Sequence, residues 1–275
     1  RKEINITNVG STTLTDFPAY LNITYNENMQ TDFDDLRFIN GSCEDDSSLE
    51  LAYEIENYTS VKADIWIKIP SLATGVNSIC MYYNNSGASS GENVTGVWDD
   101  NFKMVQHMQE TSGTHYDSTI YGNNGAQSGG VMQDAIGKID GADDFDGGDD
   151  FVNCIADDTT DFVSDHENFT VGAWIKSDCD AEADWRRIVF RTEQSGNTYG
   201  WQIYQHNLKF GGDIIDNSVS IEKEASSSAS LNDSNWHYVM MNGIYDGSWT
   251  MKLYVDGVEN TETHSGTGWG SSAGV

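Results

Sequence analysis

Alternation of apolar and polar side chains with a period of two is the feature that most restricts the fold of this chain. It is clearest at residues 61–70, where one face carries Val61, Ala63, Ile65, Ile67 and Ile69 and the other carries Lys62, Asp64 and Lys68. This pattern predicts a strand with one buried face. Pro70 cannot donate a ladder hydrogen bond, so we expect the strand to end there.

The other strand signals are short and are separated by polar turns, and helical spacing is hard to find. Residues 79–83 are apolar throughout, which predicts a central strand. Asp256-Gly257 is a hairpin-turn signal. Further strands are expected at 170–176, 187–191, 200–204, 207–210, 236–242 and 251–255. The chain is therefore predicted to be all-β, with an antiparallel sandwich of the jelly-roll type in its second half.

A stretch rich in Gly, Ser and Asn, residues 84–91, interrupts the strand pattern. Such a composition is typical of a linker. At 275 residues the chain is long enough for two ordinary domains. We therefore predict two β-sandwich modules, residues 1–96 and residues 97–275.

The chain is strongly acidic, with 44 Asp and Glu against 14 Lys and Arg and a formal charge of -30. Such a surface repels nucleic acid and anionic membranes. It indicates either solubility in a salty or extracellular setting or a surface that binds cations. No apolar run reaches the length of a membrane span. We therefore expect neither a nucleic-acid partner nor direct membrane insertion.

The cysteines and the N-glycosylation sequons indicate where the protein is located relative to the cell. Cys43, Cys80, Cys154 and Cys179 fall two to each half, so the bridges Cys43–Cys80 and Cys154–Cys179 stand as one hypothesis and free buried thiols as the other. Eight N-x-S/T sequons, six of them within the first 93 residues, begin at Asn5, Asn22, Asn40, Asn57, Asn84, Asn93, Asn168 and Asn232. Their clustering favours an extracellular or cell-surface location.

Residues 141–152 hold five Asp and three Gly, which predicts a carboxylate-lined turn leading into a strand. Calcium prefers six to eight oxygen ligands, and such a turn supplies several. The candidate ligands are Asp143, Asp146, Asp149 and Asp150, joined by Asp117 and Asn123 from a second turn. The spacing does not fit an EF-hand. In the alternative interpretation these residues cap turns and face water.

The sequence offers little support for catalysis. A glucanase on a jelly roll needs paired carboxylates on one strand, such as Glu-x-Asp-x-Glu, and that spacing is absent. Glu182 and Asp184 lie two apart, but in a loop-like run where solvation is the simpler explanation. We therefore expect no enzymatic activity.

Several aromatic residues are candidates for stacking on sugar rings, although an aromatic residue in a strand more often lies in the core. They are Trp185, Tyr199, Trp201, Tyr204, Trp249 and Trp269.

The second half resembles laminin-G-like, concanavalin A-like modules. The blocks that carry the resemblance are 104–110, 117–125, Phe145-Asp146-Gly147 with Asp150-Phe151-Val152, 169–176, Trp236-His237-Tyr238-Val239 and Leu253-Tyr254-Val255-Asp256-Gly257. They occur in the order found in that family. The resemblance implies a two-sheet jelly roll that in relatives often binds calcium and a glycan or protein ligand.

The first half resembles the domain of unknown function 2341 family, found largely in archaeal and bacterial surface proteins. The matching residues are Arg1-Lys2, Ile4, Ile6, Thr7, Asn8, 34–38, 66–70 and 81–85, with Asn84 where the family usually has Gly. The resemblance implies a surface location and no particular chemistry. Both ends depart from the families, which predicts either a fragment, with the jelly roll truncated at its C-terminus, or an open sheet edge that a neighbouring subunit pairs.

Together these features favour an extracellular surface or filament protein, archaeal by analogy, that acts in adhesion or structural assembly. Its jelly roll would be stabilised by calcium and would bind a glycan or a surface protein, and open sheet edges would allow self-assembly. The alternative is the accessory carbohydrate-binding portion of a larger carbohydrate-active enzyme.

Overall fold

The computed structural model describes residues 1–44, 49–154, 160, 162–178, 185–194, 198–216, 221–228, 230–260 and 262–266. In these residues the chain forms strands joined by turns, with a single four-residue helix. It divides into two compact units, Arg1–Ala156 and Asp157–Val275. The predicted all-β class is confirmed.

The first unit begins with six strands: β1 (Lys2–Asn8), β2 (Leu14–Thr24), β3 (Arg37–Asn40), β4 (Tyr53–Tyr58), β5 (Lys62–Leu72) and β6 (Gly75–Tyr82). They form two antiparallel sheets with the orders β1-β6-β3 and β2-β5-β4. Buried side chains from both sheets, among them Phe38, Ile65 and Ile79, make one hydrophobic cluster. The two sheets therefore enclose a common core as a β-sandwich.

Strand β5 shows the predicted apolar face from Ala63 onward, since Ala63, Ile65, Ile67 and Ile69 are at most 1% exposed. Val61 precedes the strand and is 65% exposed, and Asp64, on the opposite face, is buried. The expectation that Pro70 ends the strand is wrong, because β5 runs on to Leu72. The amide of Lys68 donates to the Ala52 carbonyl on the β4 side. The backbone nitrogen of Pro70, two residues later, faces the same side of β5. Pro70 lies beyond the residues of β5 that pair with β4, so its missing N–H removes no hydrogen bond between these strands.

Cys43 and Cys80 form the first of the two predicted disulfides, with their Cα atoms 4.9 Å apart. The bridge reaches β6, which is the central strand of its sheet as predicted. Closing a loop of this length, a sequence separation of 37, stabilises the fold by about 4 kcal/mol in the chain-entropy account. Cys154 carries a free, half-buried thiol, so this member of the second predicted pair is unbridged. Cys179 lies outside the described residues.

Residues 84–91, predicted as a linker, are held against the first sandwich. The side-chain amide of Gln30 donates to the carbonyls of Asn85 and Ala88 at 2.8 and 2.9 Å. Asp35 Oδ2 accepts the backbone amides of Asn84 and Asn85 at 2.7 and 3.2 Å. Asn84 has a φ of 80°, a left-handed conformation that Asn tolerates and Gly adopts freely. The stretch is therefore an ordered part of the first unit.

The chain from 97 to 156, predicted to open the second module, belongs to the first compact unit. Trp98 Nε1 and Ser118 Oγ donate to the two carboxylate oxygens of Glu54, on β4, at 2.9 and 2.5 Å. These contacts explain why the structure divides at residues 156 and 157 instead of 96 and 97. Helix α1 (Val94–Val97) leads into this segment. The segment itself contains β7 (Thr114–His115), β8 (Gly125–Ser128), β9 (Met132–Ile136), β10 (Gly141–Asp144) and β11 (Phe151–Cys154). Their sheets have the orders β11-β8-β7 and β10-β9.

The second unit contains β12 (Phe169–Lys176), β13 (Arg186–Gln194), β14 (Thr198–His206), β15 (Lys209–Asp216), β16 (Ile221–Ser226), β17 (Trp236–Tyr245), β18 (Trp249–Val255), β19 (Val258–Asn260) and β20 (Glu262–Gly266). They form two antiparallel sheets, β12-β17-β18-β19 and β13-β14-β15-β16-β20. Buried residues from both sheets, such as Ile203, Phe210 and Leu253, share one core. This two-sheet arrangement confirms the predicted jelly-roll sandwich.

Two hairpin turns fix the register of these strands. Asp256 and Gly257 have φ angles of 50° and 78° between the paired residues Val255 and Val258, as the Asp-Gly signal predicts. Asn207, predicted to begin a strand, instead shares the preceding turn with Leu208, and both have positive φ. Strand β15 consequently begins at Lys209.

Candidate functional site

Three of the six predicted metal ligands converge on the turn between β10 and β11. Asp146, Asp149 and Asp150 each offer one carboxylate oxygen, and these oxygens lie within 4.8 Å of one another. Hydrogen bonds within the turn hold it, because Asp150 Oδ2 accepts the Asp146 amide at 3.0 Å and Asp146 Oδ1 accepts the Gly148 amide at 2.7 Å. A surface group made only of oxygens suits a hard cation such as calcium, with water completing the ligand shell.

Gly129 fixes the position of this turn. Its φ is +87°, and a Cβ atom there would lie 2.4 Å from the Asp149 carbonyl oxygen. Only a glycine allows the two backbones to approach so closely. The placement of the acidic turn therefore depends on a residue outside it.

Asp117 and Asn123 bind each other instead of joining that acidic group. Asp117 Oδ1 accepts the amides of Val105 and Thr119, and Oδ2 accepts the Asn123 amide and the Thr119 hydroxyl, all at 2.8–3.0 Å. The two residues are 9% and 2% exposed. A buried carboxylate with four donors is already fully satisfied. Their predicted role as metal ligands is therefore wrong, and turn capping explains them.

Asp143, the remaining predicted ligand, lies against His115. Its Oδ2 is 3.1 Å from His115 Nε2, and its side chain is 1% exposed. Burial raises the pKa of this carboxyl group and outweighs the charge of His115, which lowers it. Asp143 is thus a member of a separate buried cluster and not of the surface acidic turn.

Two of the predicted sugar-stacking residues are core residues. Trp201 and Trp249 are 7% and 1% exposed. Their indole nitrogens donate inward, to the Thr160 carbonyl and to Asp216 Oδ2. Neither ring presents a face to solvent, so their predicted ligand role is wrong. Tyr204, 2% exposed, is excluded for the same reason.

The other predicted aromatics differ in their surroundings. Trp185 is 47% exposed, but one face stacks on His206 with ring centroids 3.9 Å apart. Tyr199 packs against the core and, with Arg191, lines a shallow pocket with room for little more than a water molecule. Small-molecule ligand sites are far larger, at roughly 300 Å³ or more. Trp269 lies outside the described residues.

An exposed aromatic pair lies on the outer face of the sheet β12-β17-β18-β19. Trp174 and Tyr238 face each other across the β12–β17 pair, with ring centroids 5.4 Å apart, and are 42% and 38% exposed. Trp236 lies on the same face, with Lys176 Nζ 5.5 Å from its ring centroid. Aromatic rings beside charged and amide side chains form a surface that suits sugar recognition. Sequence reasoning missed this pair, although the alternation in β12 places Trp174 on the polar face with Thr170.

A second group missed by sequence reasoning lies on the outer face of β4. Glu54 and Glu56 are 4% and 6% exposed, and the ring of His107 lies between them, with Nε2 3.3 Å from Glu54 Oε1 and Nδ1 3.5 Å from Glu56 Oε2. Burial lowers the pKa of His107, but the two carboxylates outweigh it and raise that pKa to about 9. Trp66 Nε1 donates to Glu56 at 2.6 Å. Both carboxylates are therefore engaged in holding the fold. Glu182 and Asp184 lie outside the described residues.

The predicted glycosylation sites differ in accessibility. Asn5, Asn84, Asn93 and Asn168 are exposed, whereas Asn40 and Asn232 are half-buried. Asn22 and Asn57 use their side-chain amides to bind Asp64 and Asp140 at 2.6 and 2.5 Å. The first four are the positions best suited to carry a glycan.

Comparison with known families agrees with this architecture. Residues 32–124 match the family model of a domain of unknown function, number 2341. Residues 146–274 match the model of the concanavalin A-like lectin/glucanases superfamily. The chain joins these two families in that order. Both predicted resemblances are confirmed.

The concanavalin A-like module indicates that carbohydrate or protein binding is the general function. No curated protein and no solved structure gave a match to the chain. In the part of the chain that the structure describes, no helix is long and apolar enough to cross a bilayer.

Proposed function

We propose that the concanavalin A-like module binds a glycan on the outer face of the sheet β12-β17-β18-β19. The observation that carries this proposal is the exposed pair Trp174 and Tyr238. Stacking a sugar on such rings is favourable because it removes apolar surface from water at little conformational cost. Hydrogen-bonding groups lie on the same face, including Lys252 and Tyr254, both of which contact Glu259.

A glycan array tests this directly. We expect the chain to bind a restricted set of glycans and the double variant Trp174→Ala/Tyr238→Ala to lose that binding. Phe190→Ala is the matched control, because Phe190 is 50% exposed on the other sheet of the same module. Equal binding by all three proteins, or no binding by the unaltered chain, would reject the proposed site.

A surface role outside the cell is the biological part of this proposal. A disulfide, exposed sequons and a formal charge of -30 support an extracellular surface protein that acts in adhesion or assembly. The edge strands β12, β13, β19 and β20 offer surfaces for self-assembly. Mass spectrometry of the protein from its native source is expected to find glycans at Asn5, Asn84, Asn93 or Asn168; unmodified peptides at all four would refute the glycoprotein assignment.

Calcium is the proposed cofactor, held by Asp146, Asp149 and Asp150. Only three side chains contribute, and two oxygens already accept amides, so water would supply much of the shell and affinity would be about 10⁻⁴–10⁻³ M, as in extracellular modules. We expect calcium to raise the melting temperature of the chain, a chelator to reverse this, and Asp146→Ala to abolish it. Asp144→Ala, an exposed carboxylate outside the group, is the control. Equal melting temperatures in every condition would rule out the site.

We propose a binding role and no catalysis for this chain. The paired carboxylates Glu54 and Glu56 are occupied by His107 and by indole donors. Release of reducing ends from a bound polysaccharide would contradict this proposal. It would also favour the view that the chain is part of a carbohydrate-active enzyme.

A further inference from the structure

His115, on β7, is completely buried and has three polar neighbours. Its Nδ1 is 3.1 Å from Glu110 Oε2, and the other oxygen of Glu110 accepts the Tyr116 amide at 2.8 Å, which fixes that carboxylate in place. Its Nε2 is 3.1 Å from Gln133 Nε2 and 3.1 Å from Asp143 Oδ2. The imidazole is thus held on one side and faces a carboxylate and an amide on the other.

Asp143 reaches this position because the β9–β10 hairpin is irregular. The register shifts between Ala142, which pairs with Ala135, and Asp144, which pairs with Met132. Two residues of β9, Gln133 and Asp134, therefore lie opposite the single residue Asp143, and such a bulge redirects the side chains beside it. Its side chain is 1% exposed, yet among the described residues neither of its oxygens accepts a hydrogen bond of good geometry. A buried carboxylate in this condition is costly.

The hydrogen bonds of His115 make the burial of the Asp143 carboxylate still more unfavourable. If Nδ1 donates its proton to Glu110 and Nε2 accepts from the Gln133 amide, Nε2 carries a lone pair 3.1 Å from the Asp143 carboxylate. Two electron-rich atoms at that distance repel each other unless a positive species lies between them. A proton on Nε2 is one such species, and a metal ion is the other.

We propose that His115 Nε2, the Asp143 carboxylate and the side-chain oxygen of Gln133 bind a divalent first-row transition metal ion such as zinc. The oxygen and nitrogen of an amide exchange places by a simple rotation, which turns the Gln133 oxygen toward the ion at the cost of the 3.3 Å hydrogen bond that its amide donates to the Gly113 carbonyl. The separations of 3.1 Å around His115 Nε2 are close to the roughly 3.3 Å between ligands of tetrahedral zinc. Glu110 is a positioning residue, since a carboxylate on the second ring nitrogen typically orients a metal-bound histidine.

The ligand chemistry separates this site from the acidic turn. An imidazole with a carboxylate suits zinc and its neighbours, whereas the all-oxygen group at Asp146, Asp149 and Asp150 suits calcium. Water supplies the fourth ligand from the side of Gln133, which is half-buried. This site is independent of glycan binding in the second unit.

The test is zinc titration of the chelator-treated chain by calorimetry, with cobalt(II) absorption as a second readout. Asp143→Asn is the informative variant because it keeps the shape of the side chain, and near-ultraviolet circular dichroism checks that it folds. Asp144→Asn, an exposed carboxylate on the same strand and outside both metal groups, is the matched control. We expect one zinc ion per chain, an affinity at least about 100-fold weaker in Asp143→Asn, about 10- to 100-fold weaker in Glu110→Gln, and unchanged in Asp144→Asn.

The cobalt complex should show the strong visible absorption of a tetrahedral site in the unaltered chain and lose it in Asp143→Asn. Absence of zinc binding, or equal binding by the chain and a folded Asp143→Asn variant, would overturn the proposal. Either result would assign the charge between His115 and Asp143 to a shared proton.

Discussion

The two outer sheet faces of this molecule, that of β2-β5-β4 and that of β12-β17-β18-β19, begin from the same strand pattern and end in opposite states. On the first, Glu54, Glu56 and Asp64 are almost completely buried, and His107 lies between the two glutamates. On the second, Trp174 and Tyr238 remain exposed. One face is covered by its own chain, and the other carries exposed aromatic rings.

The difference shows what covering a polar face requires. Every buried carboxylate on the first face has charged or strong donors: Glu54 contacts His107, Trp98 and Ser118. Asp64 accepts from Lys62, Tyr20 and Asn22 at 2.5–2.7 Å, and these bonds outweigh burial and lower its pKa. An apolar and aromatic face needs no such compensation. It stays open at low cost.

Removing His107 should give the largest effect. In His107→Ala, Glu54 and Glu56 lose their only cationic neighbour among the described contacts, and breaking a buried pair in this way costs about 3–5 kcal/mol. We expect urea unfolding of the first unit to shift to much lower denaturant concentration.

His237→Ala, in the second unit, is the matched control. His237 alternates with Tyr238 on β17 and therefore points away from the open face. His237 also lies between two carboxylates, Asp233 and Asp256, but these are 47% and 49% exposed. Solvent screens such pairs, so the loss should be a small fraction of that in His107→Ala. Equal losses in the two variants would show that burial of the carboxylates is not what makes the His107 pairs strong.

A pH series sharpens the same contrast. The folded-state pKa of His107 is about 9 against an ordinary 6.5, so its stabilisation is fully present below pH 6.5 and is lost as pH rises through 9. A shift of that size corresponds to about 3 kcal/mol. We expect the free energy of unfolding of the first unit to fall over this range, and the fall to be absent in His107→Ala. An identical slope in the variant would contradict the assignment.

Trp66→Phe tests a single donor on the covered face. The change removes the indole N–H that Glu56 accepts at 2.6 Å, and a buried hydrogen bond to a charged group contributes about 1.5–3 kcal/mol. Trp236→Phe, on the open face, should change stability by less than about 0.5 kcal/mol. Thermal unfolding of both variants checks this, and similar melting temperatures for the two would contradict it.

Local patterns predict the strands well because alternation and turn formation depend only on residues that are close in sequence. Strand β5, the Asp256-Gly257 hairpin and the outward placement of Trp174 can all be read within ten residues. Trp201 cannot, since β14 is buried on both faces from Gly200 to Gln205 and shows no alternation. From sequence alone, a buried aromatic residue in such a strand cannot be distinguished from one that binds a ligand.

Local patterns do not predict which polar residues are buried by a segment that is distant in sequence. Glu54 and Glu56 alternate with apolar neighbours as a solvent face does, and their partner His107 lies some fifty residues later in the chain. Likewise, nothing in the sequence around His115 indicates Asp143, because the meeting of the two depends on an irregular hairpin. Composition predicts a domain boundary near residue 97, but contacts of Trp98 and Ser118 with Glu54 tie that part of the chain to the first compact unit, which ends at Ala156.

Gly172→Ala is the mildest change and acts only on the open face. A Cβ at Gly172 would lie 2.4 Å from Tyr238 Oη and 2.9 Å from Cζ, so the ring must move away from its position beside Trp174. Because Tyr238 is 38% exposed, it moves freely, and we expect stability to change by less than about 1 kcal/mol. Glycan affinity should fall about fivefold, as the loss of roughly 1 kcal/mol of stacking implies. Thr170→Ala, on the same strand and face, should retain full affinity. If Gly172→Ala also retained it, the glycan would not rest on Tyr238, and the open face would have to bind through Trp174 alone.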